Sequence, residues 1–144
     1  MKHLKINSID RILDANINRA KEGLRVCEEI TRFILNSRSL TADFKKIRHK
    51  ISEAIADLPS RSKLFKSRCS LGDVGLGSQL KTEFKRSDYK DIFWANIQRV
   101  KESVRVLEEF CKLKNIKIAV RFKRIRYLVY EIEKKAAGII LKNK

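Results

Sequence analysis

Three polar residues, one of them an arginine able to hold an anion, recur at matching places in this chain. Asn16, Arg19 and Glu22 are answered 80 residues later by Asn96, Arg99 and Glu102. The pattern around them, A-N-I-x-R-x-K-E-x-x-R-V-x-E-E, also repeats Arg25 as Arg105. On a wheel of about 100° per residue, Asn16 and Arg19 fall inside an apolar arc that includes Ala15, Ala20, Gly23, Val26, Cys27 and Ile30. Glu22 lies at its margin and Arg25 further round, and the second copy places its residues alike. Arg48 stands beside Phe44 and Ile55, as Arg126 stands beside Phe122. A guanidinium among apolar side chains needs an acid or an anion to offset its desolvation. Two arrangements meet that need: an internal network that fixes how the helices cross, or a cavity shared by both copies whose arginines hold a phosphate bidentately. The residues alone leave both open.

Other chemistry is sparse. His3 and His49 are the only histidines, so a histidine metal cluster is not available. No G-x-x-x-x-G-K-[ST] phosphate loop occurs. The stretch 70–78, SLGDVGLGS, can present backbone N–H groups to an anion. Its Asp73 is the candidate for Mg²⁺ binding or acid–base work, with a turn-capping role as the plain alternative.

The elements that must position these groups are helices. Apolar residues recur at helical spacing from Ile9 to about Leu35, with Ser8 or Asn7 as the expected cap. A second helix, capped by Ser39 or Thr41, should run to about Asp57, before Pro59. A third, capped by Ser87 or Asp88, should span about 89–113, and a fourth about 118–140. F-K-K-I-R at 44–48 returns as F-K-R-I-R at 122–126, so the duplicated unit is a helical hairpin. The expected fold is all-α, one domain over 1–144. Repeat one covers about 9–58, a glycine-containing loop 59–87 and repeat two about 88–141, in an antiparallel four-helix arrangement.

Composition bounds the partners. A formal charge of +17 implies anionic ones: phosphorylated metabolites, nucleic acid or acidic surfaces. No apolar run approaches the roughly 18 residues of a membrane span, and none of secretory length follows the N-terminus. The expectation is a cytoplasmic protein with no membrane partner. Cys27, Cys69 and Cys111 form neither a disulfide framework nor a zinc motif. Cys27 and Cys111 are expected as buried apolar groups. An apolar arc wider than half a turn also suggests a homodimer.

RILDANINRAKEGLRVCEE, the R-C-S-L-G-D-V-G loop, E-F-K-R-S at 83–87 and WANIQRVKESVRVLEEF resemble, in order and spacing, one helical domain. That domain stands at the N-terminus of some thiamine-phosphate synthases. R-Y-L-V-Y-E-I-E from Arg126 is similar to its closing helix. The resemblance implies an ATP- and Mg²⁺-dependent kinase of hydroxymethylpyrimidine phosphate, with a separate thiamine-phosphate synthase as partner. In the family a TIM-barrel synthase domain often follows, and this sequence stops where it would start, so synthase activity is not expected. As site residues the resemblance implies Asn16, Arg19, Glu22, Arg25, Arg68, Asp73, Gly75, Glu83, Arg86, Asn96, Arg99, Glu102 and Arg105. The chain departs from the family's R-D-T and D-x-G-T at Cys69 and Leu76, which removes a carboxylate and a hydroxyl from the loop.

Two classes of function follow: a phosphotransferase, or a non-catalytic basic module for phosphorylated ligands, nucleic acid or a protein. No aromatic platform interleaves the basic residues as single-strand binders require. The basic charge by itself should give only weak duplex binding without sequence preference, with affinity falling steeply as salt rises. Fluorescence anisotropy over a salt series checks this. Tight, sequence-selective binding at physiological salt would contradict the enzyme reading.

Overall fold

The computed structural model describes residues 2–59, 61–77 and 85–142, and among them there is no strand. Helix α1 spans Lys2–Glu29 and runs into a π-helical turn, Ile30–Ile34. Helices α2 (Arg38–Ala56), α3 (Arg61–Ser67), α4 (Tyr89–Cys111) and α5 (Ile116–Ile140) follow. The chain is all-α. Helix α1 begins well before the expected cap at Ser8. The connection after it reverses through Asn36, whose φ of 52° lies in the left-handed region that asparagine tolerates. Ser37, not Ser39 or Thr41, caps α2 by accepting from Leu40 N–H at 3.2 Å. Asp88 caps α4, accepting from the N–H groups of Lys90 and Asp91, and Asn115 caps α5. Helix α3 adds a short element inside the stretch read from sequence as irregular. Among the described residues no helix is long and apolar enough to cross a membrane.

Helices α1 and α2 form one hairpin and α4 and α5 the other; α1 packs on α4, and α2 on α5. Both cross-hairpin pairs are antiparallel. On α1 and α4, Cys27 lies near Phe93 while Gly23 meets Asn96 and Val100. On α2 and α5, Asp43 pairs with Lys135 while Asp57 pairs with Arg121. A Cβ built on Gly23 would stand 2.7 Å from Val100 Cγ2 and 3.1 Å from the Asn96 carbonyl oxygen. Only a residue without a side chain lets the two signature helices approach this closely. Lys114 Nζ, 3.0 Å from buried Asp10 Oδ1, ties the end of α4 to α1. That contact is an ion pair off the hydrogen-bonding direction, since the same oxygen has no aligned donor.

The core closes around Phe44, Phe93 and Phe122, all fully buried, with Phe44 edge-on to Phe93 at 6.2 Å. Each such ring contributes roughly 1.5–3 kcal/mol by leaving water. The buried face of α1 is centred on Ala20, Leu24 and Cys27 and is rotated from the arc read on the wheel. Arg19 and Arg99 consequently lie exposed, while Glu28 and Glu108 turn inward and are only 3% and 5% exposed. The π turn shifts the register further, so Ile34 stands half in solvent. The breadth of the arc is met within the chain, because α1 packs on α2, α3 and α4 together.

Burying two carboxylates requires guanidinium partners, and each repeat supplies the same one. Arg48 donates through Nε and Nη2 to Glu28 Oε1, both at 3.2 Å. Arg126 donates to the two oxygens of Glu108 at 2.7 and 3.4 Å. Arg25 and Arg105 approach the same two acids from the outside, at 3.2 and 3.6 Å. Removing one partner strands a buried charge at a cost of roughly 3–5 kcal/mol, whereas replacing both by apolar groups is often neutral. Arg48→Met should therefore destabilise by about 3 kcal/mol, the lower end because Arg25 still reaches Glu28. Arg48→Met with Glu28→Leu should recover most of that loss, read by urea denaturation. A double variant as unstable as the single would contradict this pairing.

Cys27 and Cys111 are buried free thiols, and Cys69 is an exposed one. Burial pushes the Cys111 thiol up to about 11, against a smaller lowering by Lys114. Burial, followed by the nearby Glu133, raises Cys27 further still. A thiol-reactive dye at neutral pH should label Cys69 alone in the folded protein and all three cysteines after denaturation. Rapid labelling of Cys27 in the folded state would contradict the packing of α1 on α4.

Candidate functional site

The short helix α3 places the loop on α1. Leu64 is buried, and the Ser67 hydroxyl donates to the Leu64 carbonyl at 2.6 Å, closing the last turn. Arg68 then emerges beside α1 and donates Nε and Nη2 to the two oxygens of Asp14, at 2.8 and 2.9 Å. Its guanidinium lies 4.8 Å over the Phe65 ring. The hydrogen bond to Asp14 raises the Arg68 pKa above its ordinary value. Beyond it the loop turns at Asp73, whose Oδ1 accepts from Gly75 N–H at 2.8 Å. That is the turn-capping role the sequence allowed. The first oxygen of Asp73 is thereby committed to holding the loop's shape.

Two grooves open between α1 and this loop. One, of about 290 Å³, is lined by Arg11, Asp14, Asn18, Glu22, Arg68 and Asp73, with Cys69 and Ser70 on the loop side. The other, of about 310 Å³, lies between Ser8, Ile12, Asn16, Arg19 and the same Arg11 and Asp73. Because both include Arg11, Ala15 and Asp73, they form one continuous polar depression. Its charges are arranged unevenly. Arg68 is neutralised by Asp14, whereas among the described residues Arg11 and Arg19 make no ion pair. The cationic end of the depression is therefore the one flanked by Arg11 and Arg19.

The structure sorts the sequence candidates into three groups. Asn16, Arg19, Glu22, Arg68 and Asp73 line the depression, and Gly75 shapes the loop beside it. Asn16 is also buried and donates Nδ2 to the Ile12 carbonyl at 2.8 Å, a bond that Asn96 repeats to Ile92. Arg25, Arg48, Arg105 and Arg126 are spent on Glu28 and Glu108. Arg99 and Glu102 are exposed on α4 and line neither groove; Glu102 accepts from Gln98 at 3.4 Å. These grooves are thus not the expected cavity shared by both copies, since α1 and α4 approach too closely at Gly23 to leave space. Arg86 donates to the neighbouring Lys85 carbonyl. Glu83 and Ser78 lie outside the described residues.

Arg11, Asp14 and Asn18 were missed, and the signal that finds them is divergence between the copies. Their counterparts are Asp91, Trp94 and Gln98. Asp91 accepts from Ser87 N–H at the start of α4, and Trp94 packs edge-on against Phe93 at 5.1 Å. Residues common to both copies mostly serve the fold. In the depression, residues peculiar to the first copy (Arg11, Asp14 and Asn18) stand beside repeated ones such as Asn16, Arg19 and Glu22.

With that geometry in view, comparison with known proteins is informative. The ThiD2 family matches residues 11–135. A thiamine-phosphate synthase of Rhodopirellula baltica is 41% identical over 143 residues, covering 96% of this chain and 38% of the relative. One from a Synechocystis strain is 38% identical over 138 residues, covering 96% and 39%. One from a Nostoc strain is 40% identical over 128 residues, covering 89% and 35%. The chain thus spans less than two-fifths of the length of these curated relatives. No solved structure matches it. With most of its length in that match, the chain belongs to the ThiD2 family.

Proposed function

We propose that the chain serves thiamine biosynthesis as a phosphotransferase domain that takes hydroxymethylpyrimidine phosphate in the depression between α1 and the 68–73 loop, with ATP as phosphoryl donor. The observation that carries this reading is the pair Arg11 and Arg19, unpaired in a groove whose neighbouring arginine is neutralised. Two free guanidinium groups over one groove suit a phosphate. Asn18 and Glu22 offer an amide and a carboxylate to a nitrogen heterocycle in the adjoining groove. The names of the relatives supply the pathway.

The chemistry asks little of a base. A phosphate monoester has its second pKa near 6 and is mostly a dianion at neutral pH. Its oxygen attacks the γ-phosphorus of ATP, the bond to the β–γ bridging oxygen breaks, and ADP departs with that electron pair. No proton need be abstracted, so Asp73, already accepting from Gly75 N–H, is not required as a base. Catalysis then rests on positioning and charge stabilisation. Mg²⁺ is commonly held by one or two carboxylates together with substrate phosphates. Asp73 and Glu22 fit that partial role, and among the described residues no cluster of three ligands forms an all-protein cage. Bound there, Mg²⁺ would neutralise charge between the reacting phosphates.

Arg19→Met and Arg11→Met should each weaken hydroxymethylpyrimidine phosphate binding by about 10- to 100-fold, the loss of a charged hydrogen bond. Melting temperature should move by no more than about 2 °C, because Arg19 is exposed and Arg11 only half-buried. Arg99→Met should leave binding unchanged. Calorimetry and thermal melts on the same three variants read all of this. Stabilisation by oligonucleotides but not by nucleotides or pyrimidine phosphates would replace the enzyme with the basic binding module.

A further inference from the structure

Helix α5 carries two apolar faces, and the fold uses one. The inner face, including Phe122, Ile125, Val129 and Ile132, is buried in the core. On the opposite side Ile116, Val120, Lys123, Tyr127, Tyr130 and Lys134 recur at alternating spacings of four and three, and the series continues to Leu141. That is the spacing of a coiled-coil seam. It stands in solvent: Ile116 is 70%, Tyr127 54% and Leu141 68% exposed. The duplication supplies an internal control. Helix α2 occupies the matching place in the first hairpin and bears Arg38, Ala42, Lys45, His49, Ser52 and Ala56 at the corresponding positions. The hairpin therefore folds without an apolar outer seam, and the seam on α5 is an addition.

Two of its side chains are also held in place. Tyr127 and Tyr130 meet edge-on at 5.8 Å, Arg126 lies within 5.7 Å of both ring centres, and Arg126 Nη1 donates to the Tyr130 hydroxyl at 3.1 Å. Arg126 is in turn fixed by buried Glu108. An ordered aromatic pair loses little conformational freedom on binding.

We propose that this outer face of α5 docks an amphipathic helix of a partner protein that places acidic residues opposite Lys123 and Lys134. A second copy of this chain fits poorly. A parallel pairing sets each seam lysine against itself, and an antiparallel one sets Lys123 against Lys134. One flank carries Lys117, Arg124 and Glu131 with Lys135, which pairs with Asp43, while Arg126 and Glu133 on the other flank are paired within the chain, whose formal charge is +17. A helix with apolar seam residues and facing carboxylates satisfies both the stripe and the charge. The seam shares no residue with the depression on α1.

The test uses the whole chain and a labelled peptide of about four heptads, leucine at its seam and glutamate opposite Lys123 and Lys134, beside the same peptide with lysine there. Fluorescence anisotropy at about 0.15 M salt should show the glutamate peptide binding at least about tenfold tighter. Lys123→Glu with Lys134→Glu should reverse that preference, and Tyr127→Asp should abolish binding of either peptide. Lys45→Glu with His49→Glu on α2 should leave the affinity within about twofold, which separates docking from general attraction to a basic protein. Equal binding of the two peptides, or equal losses from the α2 and α5 variants, would overturn the proposal. So would a dimer in sedimentation that Tyr127→Asp dissociates, or tighter Tyr127-dependent binding of a single-stranded oligonucleotide.

Discussion

The close approach of α1 and α4 at Gly23 is the constraint from which the rest of this structure follows. With Val100 and the Asn96 carbonyl against the place where a side chain would begin, the two signature helices leave no room between them at Gly23. Space for a ligand lies on the outer side of α1, one of several surface grooves among the described residues. On α1 that side is enclosed by α3 and the loop that follows, anchored by the bidentate pair of Arg68 and Asp14. The depression thus belongs to one repeat.

The buried carboxylates give the same division of labour from another direction. Glu28 and Glu108 each take a forked guanidinium from the second helix of their own hairpin. Such pairs fix which faces of the hairpin meet, since a rotated register would leave a carboxylate and a guanidinium apart in a low-dielectric interior. Four of the chain's arginines are committed in this way. A basic chain therefore presents fewer free arginines at a candidate phosphate site than its composition suggests.

The four long helices, their hairpin pairing and the duplication were legible in the sequence because helical periodicity and the repeated pattern are local signals, whereas the short α3 was not. Asp88 was readable as a cap for the same reason. What the wheel misplaced was the depth of charged residues at its margins. Arg19 and Glu28 lie on opposite edges of the buried face, and a rotation of part of a turn exchanges their fates. No single helix fixes that rotation; it is set by Arg48 on α2 and by contact with α4. The loop was legible as special but not as attached to α1, since Arg68 and Asp14 are distant in sequence. Asp14 lies outside the repeated pattern, since Trp94 stands at its counterpart, so the repeat does not mark it.

The central claim is that the duplicated helices carry one functional depression, on the first copy alone. Titrating hydroxymethylpyrimidine phosphate into isotopically labelled protein and following backbone amide shifts tests it most directly. The account predicts perturbations gathered at residues 11–22 and 68–75, with 91–102 essentially unmoved. Comparable shifts on both signature helices, or shifts confined to the second, would contradict it.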